Sequence, residues 1–347
     1  MKKILVIDYL TYEGHRNFNK IHVECLEELG CSLHVVGRKS ALDIIKKSNS
    51  ISFTFFPKWM SKPYPVKAIS ERIKNIISLI WIKNHFNFEE FDFVIFLIYD
   101  VLTLSFLKIS GPVLIINHNN VSQLSNKIKL MLTRCLPPNY AHIALSEEME
   151  ERLKALLPNT KVYNIPHGLC PPSHSLVKPN FINDGESFLF CPINRNFDLL
   201  FVKTLFENQQ LLSYLKCLKV KLYIKDSLGV RNNSNEVVIL PSNLNVAEYN
   251  YMIQNAMAVL LPYGRQFKYR CSGIFFECVA RQTPVICTNL DAMKIFERDV
   301  DMRMFSDTKE LIDAIGYYAE HKVRVTDISV FNPKEYWNGV LDGLEES

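Results

Sequence analysis

The 347-residue chain lacks several features that would assign it to a specialised class of protein. Its nine cysteines, an odd number, include no Cys-x-x-Cys pair, which indicates reduced thiols rather than a disulfide framework or a zinc site. No stretch of about 18 apolar residues is present, so no segment is expected to span a membrane. The first apolar run, residues 4–7, is too short for a signal peptide. We therefore expect a cytoplasmic protein.

A large excess of charge is also missing. The net charge is +4 and the isoelectric point is about 8.4, which is too little positive charge for a dedicated nucleic-acid binder. There is no sequence repeat and no low-complexity segment. The proportions of apolar residues (48%) and charged residues (22%) are typical of soluble globular proteins. The length exceeds what one hydrophobic core usually fills, so two domains are expected.

Short apolar runs alternate with segments of helical periodicity along the chain. The first series is KILVID, SLHVVGR, FDFVIFLIY, PVLIINHNN, AHIALS and KVYNIPHG, and the second is SFLFCPIN, KVKLYIKD, EVVILP, AMAVLLPY and TPVICTN. Such runs are typical of parallel strands buried on both faces, and their alternation with helices indicates βαβ units. Residues 168–187, rich in Pro, Ser, Asn and Gly, separate the two series as a linker. We predict an α/β fold with Rossmann-like domains at residues 1–172 and 173–328, followed by a helix at 329–347.

The segment YGRQFKYRCSGIFFECVARQTPVICTN, residues 263–289, concentrates positive charge before a predicted helix. A helix N-terminus carries unsatisfied N–H groups and a partial positive charge. Ser272 suits the N-cap, and Gly273 would let a ligand approach the backbone closely. Three cations precede the cap: Arg265, Lys268 and Arg270. The pattern predicts a site for a dianionic group such as a diphosphate.

Glu277 follows Gly273 by about one helical turn and can face the same site. A carboxylate at that position could accept hydrogen bonds from both hydroxyls of a ribose. The alternative is a capped helix with basic surface residues and a solvated Glu277.

The same stretch resembles the Ser-Gly … Glu-Ala-x-Ala-x-Gly-x-Pro-Val signature of retaining, family-four-like glycosyltransferases of the GT-B fold. NIPHGL, residues 164–169, resembles that group's Pro-Asn-Gly-Val strand end, and the tail around Trp337 resembles its C-terminal helix. The resemblance implies two Rossmann-like domains facing each other across a deep cleft, with the last helix crossing back to the first domain. It also implies that the first domain binds the acceptor and the second binds a nucleotide sugar.

The activity implied is transfer of a sugar from a nucleotide-diphosphate donor to a saccharide or lipid-linked saccharide. Bacterial surface polysaccharide or lipopolysaccharide synthesis is the setting that such an acceptor suggests. The group usually has two glutamates with seven residues between them. Glu277 matches the second, whereas Tyr269 stands at the first. The group's Gly-Arg … Lys pair is altered to Asn194-Arg195 with a late Lys203, which leaves Lys225 and Lys268 as further candidates for a phosphate contact.

These departures keep two alternatives open. One is a nucleotide-sugar 2-epimerase or hydrolase, which would consume the donor without an acceptor. The other is a non-catalytic scaffold that retains the fold.

Polar residues after three strands of the first domain are candidates for the same site: Gly14 and His15, His118, and Ser146, which follows AHIAL. The loop after the first strand carries Gly14 and His15 and is expected to face the diphosphate. His118 follows a central strand, and the resemblance implies that it lies against the donor sugar. The alternative is a polar strand end that caps the next helix. His167, near the linker, suits hinge packing and ligand contact equally.

We expect the reaction to need no metal and no cofactor. The Asp-x-Asp in DVDMR, residues 299–303, is expected to be solvated in a late loop. Cations and a helix dipole would then absorb the charge of the departing diphosphate, which could itself deprotonate the acceptor. The predicted catalytic residues are His118, Arg195 and Lys268, and the predicted donor-binding residues are Gly14, His15, Lys225, Tyr269, Arg270, Ser272, Gly273 and Glu277.

Residues 56–86 combine lysines and arginine with tryptophan and isoleucine, and LSNKIKLMLTRCL at 124–136 is a second basic apolar piece. A basic amphipathic helix with tryptophan suits an anionic membrane surface. A helix packed on the sheet with solvated lysines is the alternative. The sequence thus leaves open whether the protein is peripheral on the membrane.

Overall fold

The computed structural model describes residues 1–11, 15–61, 68–105, 107–172, 175–193, 197–225, 234–240, 244–265, 267–321 and 327–345. The chain divides into two compact units. Unit 1 comprises Met1–Gly168, Tyr269–Cys271 and Phe331–Ser347. Unit 2 comprises Leu169–Lys268 and Ser272–Val330.

Unit 1 contains a parallel seven-stranded sheet in the order β3-β2-β1-β4-β5-β6-β7. Its strands are β1 (Lys3–Asp8), β2 (Ser32–Gly37), β3 (Ile51–Phe55), β4 (Phe93–Ile98), β5 (Val113–Ile116), β6 (Tyr140–Ala144) and β7 (Val162–Asn164). Its first eight helices are α1 (Arg16–Glu28), α2 (Lys39–Leu42), α3 (Lys58–Ser61), α4 (Ala68–His85), α5 (Val101–Leu104), α6 (Asn120–Gln123), α7 (Lys127–Arg134) and α8 (Glu147–Leu156). A 3₁₀ turn spans Phe88–Glu90.

Alternate residues of the central strands enter two separate buried clusters, because successive side chains point to opposite faces of a sheet. Ile4 and Val6 of β1 pack in one cluster with α1 and α8. Leu5 and Ile7 pack in the other with α3, α4 and α5. Both faces are therefore covered, which explains why these strands are apolar at nearly every position.

Unit 2 contains a parallel six-stranded sheet in the order β10-β9-β8-β11-β12-β13. Its strands are β8 (Ser187–Pro192), β9 (Val220–Lys225), β10 (Val237–Leu240), β11 (Ala258–Leu261), β12 (Val285–Thr288) and β13 (Met302–Phe305). Its helices are α9 (Leu199–Glu207), α10 (Gln209–Leu218), α11 (Val246–Asn255), α12 (Gly273–Ala280), α13 (Asp291–Lys294) and α14 (Thr308–Glu320). A 3₁₀ turn at Ser329–Phe331 precedes the last helix, α15 (Pro333–Glu345).

Helix α15 belongs to unit 1, where it packs against α1. Trp337 is fully buried there in the cluster that contains α1 and α8. Its indole Nε1–H donates a hydrogen bond to His22 Nδ1 at 2.9 Å. A buried tryptophan whose N–H is satisfied in this way fixes the position of the C-terminal helix in unit 1.

The predicted α/β fold class is confirmed, and each of the eleven predicted apolar runs contains a strand. Two strands, β3 and β13, were not predicted. Both lie at a sheet edge and are partly exposed, so their sequences, ISFTF and MRMF, mix polar with apolar residues. The DVDMR segment, predicted to be a solvated loop, leads into β13, and Asp301 in it is buried and accepts a hydrogen bond from Tyr318 at 3.1 Å. That prediction was wrong because the tyrosine supplies a buried partner for the carboxylate.

Candidate functional site

The winding direction of the sheet in unit 2 reverses between β8 and β11. From β8 the chain proceeds outward to β9 and β10, then crosses to β11 and proceeds outward to β12 and β13. The chain after β8 therefore leads towards β9, and the chain after β11 leads in the opposite direction, towards β12. In open α/β sheets, ligands bind in the crevice that such a reversal creates.

The two loops at this reversal are joined by backbone contacts. The amide of Asp198 donates to the Pro262 carbonyl at 2.7 Å, and Phe197 forms an isolated bridge with Tyr263. The predicted catalytic Arg195 lies outside the described residues. Phe197, two residues further along the chain, packs against Tyr263, with ring centroids 5.2 Å apart.

Ser272 caps α12, as predicted, by accepting a hydrogen bond from the Phe275 amide at 3.2 Å. The buried hydroxyl of Tyr263 hydrogen-bonds the same Ser272 oxygen and so fixes the cap. Gly273 is exposed, and a Cβ at that position would meet nothing within 4 Å. The N-terminus of α12 is therefore open at Gly273. The amides of Gly273 and Ile274 have no acceptor within the helix, whereas the Phe275 amide is taken by the Ser272 side chain.

Glu277 lies one turn further along α12 and is only partly exposed. It accepts a hydrogen bond from the Tyr249 hydroxyl at 3.3 Å. Burial raises the pKa of its carboxyl above the ordinary value, while Arg281, Tyr249 and Lys225 act in the opposite direction. The predicted alternative of a freely solvated Glu277 is therefore wrong.

Lys225, at the C-terminal end of β9, lies close to this carboxylate. Its Nζ is 4.9 Å from the centre of the Tyr249 ring. The hydroxyl of the same tyrosine donates the hydrogen bond to Glu277. Lys268 and Arg265, in the loop before Ser272, are exposed. Unit 2 thus combines an open helix N-terminus, a carboxylate and cations at one end of its sheet.

Three consecutive residues of this loop, Tyr269–Cys271, belong to unit 1 rather than unit 2. Tyr269 has a positive φ of 54°, which a bulky residue rarely adopts, and the Arg152 guanidinium lies 5.4 Å from its ring centre. Arg270 Nε donates to Ser122 Oγ at 2.9 Å, and burial lowers the Arg270 pKa. The structure therefore groups Tyr269 and Arg270 with unit 1, whereas Ser272, two residues after Arg270, belongs to unit 2.

Four histidines of unit 1 surround Phe18. The ring centres of His15 and His118 are 4.5 Å apart, those of His118 and His167 are 6.2 Å apart, and Phe18 lies 4.0 Å from His118 and 4.1 Å from His22. The predicted site residues His15 and His118 are thus brought together, and His167, left open between hinge packing and ligand contact, lies beside them. Gly14, predicted with them, lies outside the described residues.

Burial holds the pKa of His118 well below its ordinary value, and the neighbouring histidines lower it further. Burial also lowers the pKa of His15, of His22 to about 3 and of His167 to about 4. These imidazoles are neutral at pH 7. His118 Nε2 is buried and makes no hydrogen bond to any atom of the described residues, so it is available to a ligand hydroxyl.

Sequence reasoning did not identify Asp8, which organises the loop after β1. Its carboxylate accepts hydrogen bonds from the Thr11 amide at 2.9 Å and from Asn19 Nδ2 at 2.6 Å. Its position at the end of the apolar run KILVID could have predicted this role, because an aspartate there can accept hydrogen bonds from the following loop. Tyr249 and Tyr263 were also missed, since no local pattern marks them, and their roles depend on contacts across the fold.

The sequence matches no protein-family model and no curated protein. Solved structures do resemble it. The UDP-forming α,α-trehalose-phosphate synthase of Burkholderia xenovorans matches with a TM-score of 0.65 at 9% identity, over 99% of this chain and 98% of that one. The lipopolysaccharide outer core galactosyltransferase WaaB matches with a TM-score of 0.54 at 14% identity, over 100% and 98%. The fold is GT-B-like.

The UDP-GlcNAc 2-epimerase of Methanocaldococcus jannaschii also matches, with a TM-score of 0.59 at 14% identity over 99% of this chain and 100% of that one. A GT-B-like fold is therefore shared with enzymes of two reaction types. At these identities the likeness establishes the fold alone, and the reaction has to be argued from the residues of the site.

Proposed function

We propose that the protein is a glycosyltransferase that takes its sugar from a nucleotide-diphosphate donor bound by unit 2. One observation carries the proposal: an open, capped N-terminus of α12 and the half-buried Glu277 one turn along lie at the C-terminal end of β11, beside the reversal of the sheet. The amides suit a diphosphate, and the carboxylate suits the hydroxyls of a ribose. The GT-B-like fold shared with known glycosyltransferases supports the same reading.

The chemistry follows from where charge develops. When the sugar leaves, negative charge accumulates on the diphosphate. The amide dipoles of α12 can absorb part of it, and Lys225, Lys268 and Arg195 are the cations proposed to absorb the rest. Such a set of donors allows the transfer to proceed without a metal ion. Retention of configuration and family-four-like membership remain proposals that depend on the sequence resemblance.

The histidines of unit 1 suit a neutral role. With its pKa held well below the ordinary value, His118 carries no charge at pH 7 and cannot stabilise a phosphate as a cation. Its buried Nε2 can instead hydrogen-bond a sugar hydroxyl. We propose a saccharide or lipid-linked saccharide as the acceptor, as in synthesis of bacterial surface polysaccharides.

A nucleotide-sugar 2-epimerase is the second candidate. The likeness to the Methanocaldococcus jannaschii UDP-GlcNAc 2-epimerase over nearly the whole chain favours it, as does Tyr269 at the position of the first glutamate of transferases.

A non-catalytic scaffold would bind nucleotide without turnover.

A screen of UDP-, GDP- and ADP-sugars by thermal unfolding identifies the donor, because a ligand that binds only the folded state raises the melting temperature. The stabilising donor is then incubated with and without candidate saccharide acceptors, and the sugar products are separated. Transfer that requires the acceptor supports the proposal. An isomerised or hydrolysed sugar without acceptor contradicts it in favour of the second candidate, and binding without any turnover favours the scaffold.

A further inference from the structure

Helix α4 exposes an apolar stripe to solvent, where an ordinary surface helix carries polar residues. Ile73 and Ile80 are each 53% exposed and Ile77 is 36% exposed. Their spacing of four and three residues places them on one side of the helix. The opposite side, with Leu79 and Ile82, is buried in the core of unit 1.

Two further helices on the same face of the sheet also expose apolar side chains. Trp59 of α3 is 59% exposed, and Ile128 and Met131 of α7, three residues apart, are 63% and 56% exposed. Helices α4 and α7 both pack against α5, and α3 contributes Met60 to the same buried cluster as α4. We call Trp59, Ile73, Ile77, Ile80, Ile128 and Met131 the apolar face of unit 1.

The charges beside the apolar face have one predominant sign. Exposed basic residues on the three helices are Lys58, Arg72, Lys83, Lys127 and Arg134. Glu71 is the single acidic residue in the sequences of these helices. Isolated exposed apolar residues need no explanation, but a grouped set rimmed by basic side chains marks an interaction surface.

We propose that the apolar face docks unit 1 onto an anionic lipid bilayer. The isoleucines and Trp59 would enter the region between headgroups and acyl chains, while the basic side chains contact lipid phosphates. Among the described residues no helix is long and apolar enough to cross a bilayer, so α4 lies along the surface. Two further lysines of the basic segment 56–86, Lys62 and Lys67, lie outside the described residues.

Membrane docking is a separate property from the proposed transferase activity, and it would place that activity at the bilayer surface. An enzyme held on a bilayer meets acceptors that are themselves anchored in lipid. The apolar face therefore favours a lipid-linked saccharide over a freely diffusing one.

Vesicle co-flotation tests the proposal, with vesicles of phosphatidylglycerol and phosphatidylcholine compared with vesicles of phosphatidylcholine alone. The expected result is binding to the anionic vesicles that weakens as salt is raised. The triple variant Ile73→Ser, Ile77→Ser, Ile80→Ser should bind at least about tenfold more weakly, since it removes the apolar area that inserts. The matched control replaces three exposed aliphatic residues of unit 2 with serine, namely Val177, Val246 and Ile328, and should bind like the parent.

The fluorescence of Trp59 is an independent measurement of membrane contact. Trp59 is the most exposed of the three tryptophans, since Trp337 is fully buried and Trp81 is partly buried. Its fluorescence should shift to the blue when anionic vesicles are added, and the shift should disappear in Trp59→Phe. Unchanged melting temperatures verify that the variants are folded.

The proposal is overturned if the parent does not bind anionic vesicles, or if the triple variant binds as well as the parent. It is also overturned if the parent is a dimer in solution that Ile77→Glu dissociates, because the apolar face then joins two copies of the chain. The vesicle assay contains no nucleotide sugar and measures membrane binding alone. A negative result would therefore overturn membrane docking without deciding whether the protein is a transferase.

Discussion

Replacing Glu277 with glutamine tests the ribose contact directly. The glutamate can accept two charge-assisted hydrogen bonds from ribose hydroxyls, each about 1.5–3 kcal/mol, and glutamine keeps one neutral acceptor. We expect a net loss of about 2 kcal/mol, which corresponds to a donor dissociation constant raised roughly 30-fold. Isothermal titration with the stabilising nucleotide sugar measures the change, and Glu320→Gln, at the exposed end of α14, is the matched control.

Glu277→Gln should not lower the free energy of unfolding at neutral pH, and it should raise it if the ionised carboxylate costs stability there. Burial raises the pKa of the Glu277 carboxyl above its ordinary value of 4.5. The protonated form is thus favoured by folding, and that contribution is complete below pH 4.5 and lost as the pH rises through the raised pKa. At neutral pH the ionised Glu277 therefore costs stability, and glutamine removes this cost.

The pH dependence of binding separates this role from a structural one. In the proposed complex the ionised carboxylate holds the ribose, so the affinity of the parent for the donor should increase as the pH rises through the raised pKa of Glu277. In Glu277→Gln this increase should be absent. Equal donor affinity in parent and variant at every pH would refute the ribose contact. A melting temperature several degrees lower, with affinity unchanged, would make Glu277 a structural residue.

Three further predictions concern stability. Tyr263→Phe removes the hydroxyl that holds the Ser272 cap and should lower the free energy of unfolding by about 1 kcal/mol in urea. Gly168→Ala should cost about 1–3 kcal/mol, because Gly168 has a φ of 79° and a Cβ there would lie 2.5 Å from an isoleucine side chain. Acidification should destabilise the protein by about 1.4 kcal/mol per pH unit for each of His22 and His167 between pH 6.5 and about 4, since the unfolded chain takes up their protons first.

Each of these has a result that would contradict it. Equal urea midpoints for Tyr263→Phe and the parent would mean that the tyrosine hydroxyl adds nothing to the cap. A Gly168→Ala variant as stable as the parent would show that the backbone there adapts without strain. Equal unfolding free energies at pH 7 and pH 5 would show that the histidines are not held neutral by burial.

Features that depend on neighbouring residues in the chain could be predicted from the sequence. The central strands are buried on both faces and therefore appear as continuous apolar runs, whereas the edge strands β3 and β13 are partly exposed and were missed. The Ser272 cap was predictable because the cap and its helix are adjacent. His15 and His118 were expected at one site because the C-terminal ends of parallel strands share one edge of a sheet. That His167 lies beside them was not predicted.

Features that depend on packing across the fold could not be predicted. No local pattern marks Tyr249 as the partner of Glu277 or Phe18 as the centre of the histidine cluster. The sequence placed Arg270 before the start of α12, but its side chain bonds Ser122 in unit 1. Charge near a motif in the sequence thus says little about where a long, flexible side chain is directed.

The most direct test of the account is a crystal structure of the protein with a nucleoside diphosphate. The account predicts that the diphosphate lies on the amides of the first turn of α12, beside Ser272 and Gly273, with the ribose hydroxyls on Glu277. A nucleotide bound elsewhere, with that turn empty, would contradict it.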